Sequence, residues 1–117
     1  MMTITDFLTQ LNDAPDTIQF SDTMTIIEQY YHYTPSAFRN GTLLNQAGEN
    51  QGSCKIFAFA QLQQLSATST LSCFGDYYRL DVLNHPTGND HQNIRQFMKT
   101  GWTEIEFSSL ALRPYEV

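Results

Sequence analysis

The chain has 117 residues, which suits one domain that buries roughly two-thirds of its unfolded surface. Twelve acidic residues against six basic ones give a net charge of −6, which disfavours unaided binding to nucleic acid or anionic lipid. No apolar run approaches the roughly 20 residues that cross a bilayer. We therefore expect a single domain over residues 1–117 with no nucleic-acid and no membrane partner.

Local signals in the first half of the chain predict two helices followed by a hairpin. Apolar residues recur at helical spacing from Ile4 to Leu11, and Pro15 marks the end of that helix. Ser21 is the expected N-cap of a second helix that runs to about Tyr31. The dipeptide at 40–41, Asn-Gly, is a strong turn signal and predicts a short hairpin.

A third helix is predicted from Cys54 to Leu65, with Ser53 as its N-cap. Its apolar residues cover most of its circumference, which is typical of a central, buried helix. Ser66 is the expected N-cap of a fourth helical segment, which ends before Pro86.

The last helix is predicted to begin at an Asp90 N-cap and to stop at Gly101. Residues 103–107, TEIEF, alternate polar and apolar side chains, which favours a short strand able to pair with the hairpin. The predicted fold class is α+β and predominantly helical, with about five short helices around the central helix 54–65 and a small antiparallel sheet.

Cys54 leaves two interpretations open. A thiol in the first turn of a helix, beside Lys55, favours the nucleophilic thiolate, and His91 with Asp90 or Asn93 would supply the base and its orienting partner. This hypothesis describes a small cysteine-dependent hydrolase or transferase. In the other interpretation, Cys54 lies on the apolar stripe of the helix and belongs to the core, where free cysteines are common. Neither Cys54 nor Cys73 is expected to form a disulfide.

A dense cluster, FGDYYR at residues 74–79, is the second candidate site. Tyrosine with arginine is favoured at binding surfaces, so Tyr77, Tyr78 and Arg79 are candidate binding residues. A metal could use His85, Asp90 and His91, but no standard ligand spacing is present. We therefore predict no metal site and no cofactor.

Two long strings carry a family resemblance. AGENQGSCKIFAFAQL and LSCFGDYYRLDVLNHPTGNDHQNIRQFMKTGW resemble the HopJ type III effector family, over a region from about Ser21 to Trp102. The resemblance implies proteins delivered into host cells through type III secretion, with no established enzymatic activity.

The resemblance also implies where such a protein acts and which residues it uses. The partner would be a host or bacterial protein, and the chain would reside in the bacterial cytoplasm or be exported through a type III system. Type III export signals are uncleaved N-terminal stretches rich in Ser, Thr and Gln, and the Thr and Gln content of residues 2–20 is compatible with one. The same stretch is also predicted to form an amphipathic helix. Besides Cys54, the strings point to a set of candidate binding residues: Tyr77, Tyr78, Arg79, His85, Arg95 and Trp102.

Overall fold

The computed structural model describes residues 2–115, in which five α-helices and a π-helix accompany two small antiparallel sheets. The helices are α1 (Ile4–Asp13), α2 (Phe20–Tyr30), α3 (Gln51–Leu62), α4 (Ala67–Ser72) and α5 (Gln92–Thr100), and the π-helix is Tyr77–Val82. Short 3₁₀ turns lie at Pro15–Thr17 and Gly101–Glu104. The strands are β1 (Tyr31–Tyr33), β2 (Phe38–Asn40), β3 (Leu43–Asn45), β4 (Ile105–Phe107) and β5 (Leu112–Pro114). The predicted α+β class is confirmed.

The N-termini of the first two helices are held by capping boxes. Thr3 accepts a hydrogen bond from the Asp6 amide, and the Asp6 carboxylate accepts one from the Thr3 amide. For α2 the N-cap is Gln19, with Asp22 as its partner, and the predicted N-cap Ser21 already lies inside the helix. Asp22 accounts for the shift, because its carboxylate accepts the Gln19 amide at 2.9 Å.

The hairpin predicted around Asn40-Gly41 is confirmed as β2 and β3, and the predicted strand at 103–107 is β4, which pairs with β2 on its other side. The second sheet, β1 with β5, was not predicted. Its strands are three residues long and more than 70 positions apart, so neither has a neighbouring turn to reveal it.

Helix α3 crosses the centre of the molecule, as predicted. It runs from Gln51 to Leu62 and not from Cys54 to Leu65, because its N-cap is Asn50 and not Ser53. Residues 56–60 of this helix are all buried. Phe57 is fully buried and its ring contacts four others, with centroids 4.9–6.3 Å apart: Phe38, Phe74, Phe97 and Trp102. This aromatic cluster fixes α3 against α4, α5 and the three-stranded sheet.

Between α4 and α5 the structure differs from the predicted helices at two points. Ser66 caps α4 as predicted, but the chain turns at Gly75, whose φ is +61° and whose missing Cβ would lie 2.5 Å from the Phe20 amide nitrogen. The π-helix follows this turn. Asp90 was the predicted N-cap of α5, whereas the observed N-cap is His91, with φ of +49°. Gly101 ends α5 as predicted.

Candidate functional site

A pocket of about 500 Å³ lies where the N-terminus of α3 meets the N-terminus of α5. We call it the inter-helix pocket. None of its ten lining residues carries a carboxylate or a basic group other than imidazole: they are Phe20, Asn50, Gly52, Ser53, Phe74, Tyr77, His91, Gln92, Asn93 and Ile94.

Both helices enter the pocket without a side-chain cap. Asn50 precedes α3 and His91 precedes α5, both residues have left-handed φ values near +50°, and neither side chain accepts a hydrogen bond from its helix. The first N–H groups of a helix lack intrahelical acceptors, and the helix dipole places partial positive charge at that end. The pocket wall therefore presents two positive helix ends.

A buried network of asparagines holds the two helix ends together. Asn45 Oδ1 accepts the side-chain amide of Asn50 at 2.7 Å and that of Asn93 at 2.9 Å. Asn40 Nδ2 donates to the Asn93 carbonyl oxygen at 2.9 Å. Because Asn40, Asn45 and Asn93 are at most 6% exposed, water competes little with these bonds. The network ties β2 and β3 to the first turns of both helices.

Aromatic rings form the mouth of the pocket. Tyr77 is 43% exposed, and its ring meets Phe20 edge-on at 5.0 Å and His91 in a tilted arrangement at 5.1 Å. The other side of the His91 imidazole is held by Asp81, whose Oδ2 lies 2.9 Å from Nε2. His91 is therefore fixed between Tyr77 and Asp81.

Cys54, the sharpest sequence candidate, lies beneath the surface and does not line this pocket. It is 1% exposed, and its thiol donates to the Ser36 carbonyl oxygen at 3.7 Å. Its neighbours differ from those of His91, so the structure provides no contact that joins the predicted nucleophile to its predicted base.

Burial disfavours the thiolate form of Cys54, which is the opposite of the effect expected from the sequence. Desolvation raises the pKa of Cys54, and the Ser36 bond, Tyr33 and Lys55 offset this only in part. Burial likewise raises the pKa of Tyr33, the neighbour of the thiol, to about 12. The Lys55 ammonium lies 4.8 Å from the centre of the Tyr33 ring. The prediction of a thiolate favoured by helix position and Lys55 is not supported by this environment.

The loop before α5 is held by hydrogen bonds from Arg95 to Asp90 and to the backbone of His85. Arg95 is only 9% exposed, and its guanidinium donates to Asp90 Oδ1 at 2.6 Å, to the Asp90 carbonyl oxygen at 2.6 Å and to the His85 carbonyl oxygen at 2.8 Å. The bonded Arg95 lowers the pKa of Asp90. Arg95, a candidate binding residue, is therefore committed to holding the loop 85–90.

Most of the other candidate binding residues also contact the protein's own fold. Arg79 donates to the Ile18 carbonyl oxygen at 2.5 Å, and the Trp102 indole donates to the Leu65 carbonyl oxygen at 2.9 Å. Tyr78 is half-buried against the core. Of the FGDYYR cluster, Phe74 and Tyr77 line the pocket.

Sequence reasoning missed several residues that build the pocket. Asn40 was assigned to a turn and Asn50 to a loop, because asparagine in both settings is ordinary turn chemistry. Asp81 lies ten residues before His91, a separation that no simple periodicity connects. Phe20 was outside every predicted site. The left-handed conformation of Asn50 is the one feature with a local signal, since asparagine tolerates positive φ.

Comparison with known proteins assigns the chain to a family. A solved structure of a protein of unknown function, VPA0580, superposes with a TM-score of 0.96 at 53% identity, covering 97% of this chain and 95% of that one. No curated protein sequence matched the chain. None of the described helices is long and apolar enough to cross a membrane. The family model for the HopJ type III effector protein matches residues 4–112, so the chain belongs to the HopJ type III effector family.

Proposed function

We propose that this protein acts by binding a partner polypeptide, and that the inter-helix pocket receives an acidic side chain of that partner. The convergence of two uncapped helix N-termini on one pocket is the observation that carries this proposal. Each helix end stabilises a nearby anion by about 0.3–1 kcal/mol when exposed and up to about 2 kcal/mol when partly buried. An acidic side chain placed between two such ends gains from both.

The mouth of the pocket supports the choice of a protein as the partner. Tyr77 is exposed yet fixed by Phe20 and His91, so its ring would lose little conformational freedom on binding. Rigid, partly exposed tyrosines are enriched among residues that dominate protein interfaces. A nucleic acid would bring many phosphates toward a chain of net charge −6, whereas a peptide can place a single acidic group at the two helix N-termini.

The family context agrees with this type of activity. The matching family model describes a type III effector protein, and on that ground we propose a host protein as the partner class. The alternative, a hydrolase or transferase based on Cys54 and His91, gains no contact from the structure, and we do not develop it.

The experiment is peptide selection followed by matched substitution. Random 12-residue peptides displayed on phage would be selected for binding to the folded protein. The affinity of each selected peptide would then be measured by fluorescence anisotropy. We expect the selected peptides to share an Asp or Glu, and replacement of that residue by its amide to weaken binding at least about tenfold.

Two exposed tyrosines provide a matched pair of variants. Tyr77→Ala should weaken the binding of the selected peptides at least about tenfold. Tyr115 is equally exposed, at 43%, and its ring also packs on a histidine, His32. Tyr115→Ala should leave binding unchanged. Peptides that bind equally well after the acid-to-amide change, or that respond to Tyr115→Ala and not to Tyr77→Ala, would overturn the proposal.

A further inference from the structure

Three metal-ligating side chains meet beside the inter-helix pocket. One oxygen each of Asp81 and Asp90 and one nitrogen of His91 lie within 4.8 Å of one another. In the part of the chain that the structure describes, this is the one group of three such residues. We propose that Asp81, Asp90 and His91 form a binding site for a divalent first-row transition metal ion, with Zn²⁺ as the ion that suits the set best.

The separations between the donor atoms suit a shared ion. His91 Nε2 lies 2.9 Å from Asp81 Oδ2 and 3.8 Å from Asp90 Oδ2. Ligand atoms about 2.1 Å from a zinc ion stand roughly 3.0–3.5 Å apart at the angles of ordinary coordination. The two separations from His91 lie just below and just above this range, and no two of the three donor atoms are more than 4.8 Å apart.

The donor types narrow the choice of metal. Imidazole nitrogen is a good ligand for zinc, copper, iron and nickel, while calcium and magnesium prefer all-oxygen sites. Two carboxylates and one imidazole give three protein ligands and leave a coordination position open, the arrangement of zinc sites that accept a water or another molecule. The carboxylates also balance the charge of the ion.

Neighbouring groups already orient the ligands. Arg95 donates to Asp90 Oδ1, which leaves Oδ2 as the oxygen turned toward His91. Asp81 is carried by the π-helix, an irregularity that occurs often at functional sites. Such outer contacts fix ligands in place and raise metal affinity.

The cluster is also open to solvent, which gives the ion an entry path. The exposed fractions of the side chains are 47% for Asp81, 56% for Asp90 and 28% for His91. The other neighbouring pair of acidic residues bonded to one side chain, Glu104 and Glu106, faces Arg39 and includes no imidazole. In the Asp81 cluster Arg95 pairs with Asp90, and the side chain between the two carboxylates is an imidazole that can itself bind a metal.

The test is isothermal titration calorimetry, in which ZnCl₂ is added to protein that has been treated with a chelator and then freed of it. We expect one zinc ion per chain, and Asp81→Asn and His91→Gln should each weaken the affinity at least about tenfold, the usual effect of losing a ligand or its support. His32→Gln removes an exposed imidazole outside the cluster and should leave the affinity unchanged. Circular dichroism of each variant verifies that it is folded.

A second measurement locates the ion independently of affinity. Titration of ¹⁵N-labelled protein with MnCl₂, whose ion is paramagnetic, should broaden amide signals of residues 80–82 and 89–92 before all others. Zinc affinity unchanged in both Asp81→Asn and His91→Gln, or broadening centred elsewhere, would overturn the site. Tyr77→Ala retains all three metal ligands and should bind zinc with unchanged affinity while it loses the selected peptides, so failure of the metal site and failure of the proposed function are distinguishable.

Discussion

Helices α3 and α5 begin in the same way but present different chemistry to solvent. Each follows a left-handed residue without a side-chain cap, Asn50 in one case and His91 in the other. In α3 the residue predicted to be reactive, Cys54, lies one turn inside the helix and is 1% exposed. In α5 the reactive residue is the N-cap itself, and the side chain of His91 is 28% exposed at the pocket.

The difference shows what a position near a helix start does and does not determine. A residue at the N-cap precedes the first turn, so its side chain can lie at the helix end. A residue one turn later lies on a particular face, and packing decides whether that face is buried. Proximity to the positive helix end is shared by Cys54 and His91, and only burial separates them.

The largest expected effect is a difference in chemical reactivity between the two helix ends. Alkylation of Cys54 by iodoacetamide should be at least about 10³-fold slower in the folded protein than in urea, because the thiol reacts only after opening of the core. Carbethoxylation of His91 should proceed within roughly tenfold of the rate at exposed His32. Both rates are measured by peptide mass spectrometry.

Each of two results would contradict the expected difference in reactivity. Rapid native alkylation of Cys54 would revive the thiol hypothesis. Protection of His91 as strong as that of Cys54 would remove the distinction between the two helix ends.

A smaller effect concerns the pH dependence of stability. Burial raises the pKa of Cys73 from 9.0 to about 12 and moves that of Cys54 in the same direction. A raised thiol pKa means that the folded state retains a proton that the unfolded state loses. The stabilisation is complete below about pH 9 and declines as the pH rises toward 12.

For Cys73 this amounts to roughly 3 kcal/mol of the free energy of unfolding lost by pH 11. Urea unfolding at pH 8, 9, 10 and 11 measures the decline, and Cys73→Ala should show a shallower one. An equal slope in the variant and the parent would contradict buried, protonated thiols.

The smallest expected effect tests the link that joins the two helix ends. Asn45→Ala removes the oxygen that binds both Asn50 and Asn93, and should lower the free energy of unfolding by about 2 kcal/mol. Leu44→Ala, at a neighbouring residue that is 73% exposed, should change it by less than about 0.5 kcal/mol. Equal losses from the two variants in urea unfolding would show that the asparagine network contributes little.

Agreement between sequence and structure is best where the causes are local. The Asn40-Gly41 turn, the Ser66 cap and the Gly101 stop depend on residues a few positions apart, and each was predicted correctly. Cap positions were wrong where another side chain made the decisive hydrogen bond: Asp22 accepts the Gln19 amide at the start of α2, and Arg95 occupies the carboxylate of Asp90 before α5. Asp90 is a good N-cap by composition, but Arg95 holds its carboxylate, and the helix begins one residue later.

The candidate site was predictable in some of its members but not in its arrangement. His91 and Tyr77 were named from the sequence, and both line the pocket. Arg79 and Arg95 were named as binding residues, yet both donate to backbone oxygens of their own fold. Whether an arginine faces solvent or a buried carbonyl depends on chain segments that the local sequence does not reveal.

The amino-acid sequence alone determined the α+β class, the central apolar helix, the hairpin and the family, because turn residues, caps and apolar spacing act over short distances. Tertiary structure decided that Asn50 and His91 meet at one pocket, that Asp81 contacts His91, and that Cys54 is buried. These outcomes depend on how helices pack against one another. Such packing joins residues ten to fifty positions apart and gives each side chain its exposure and its partners.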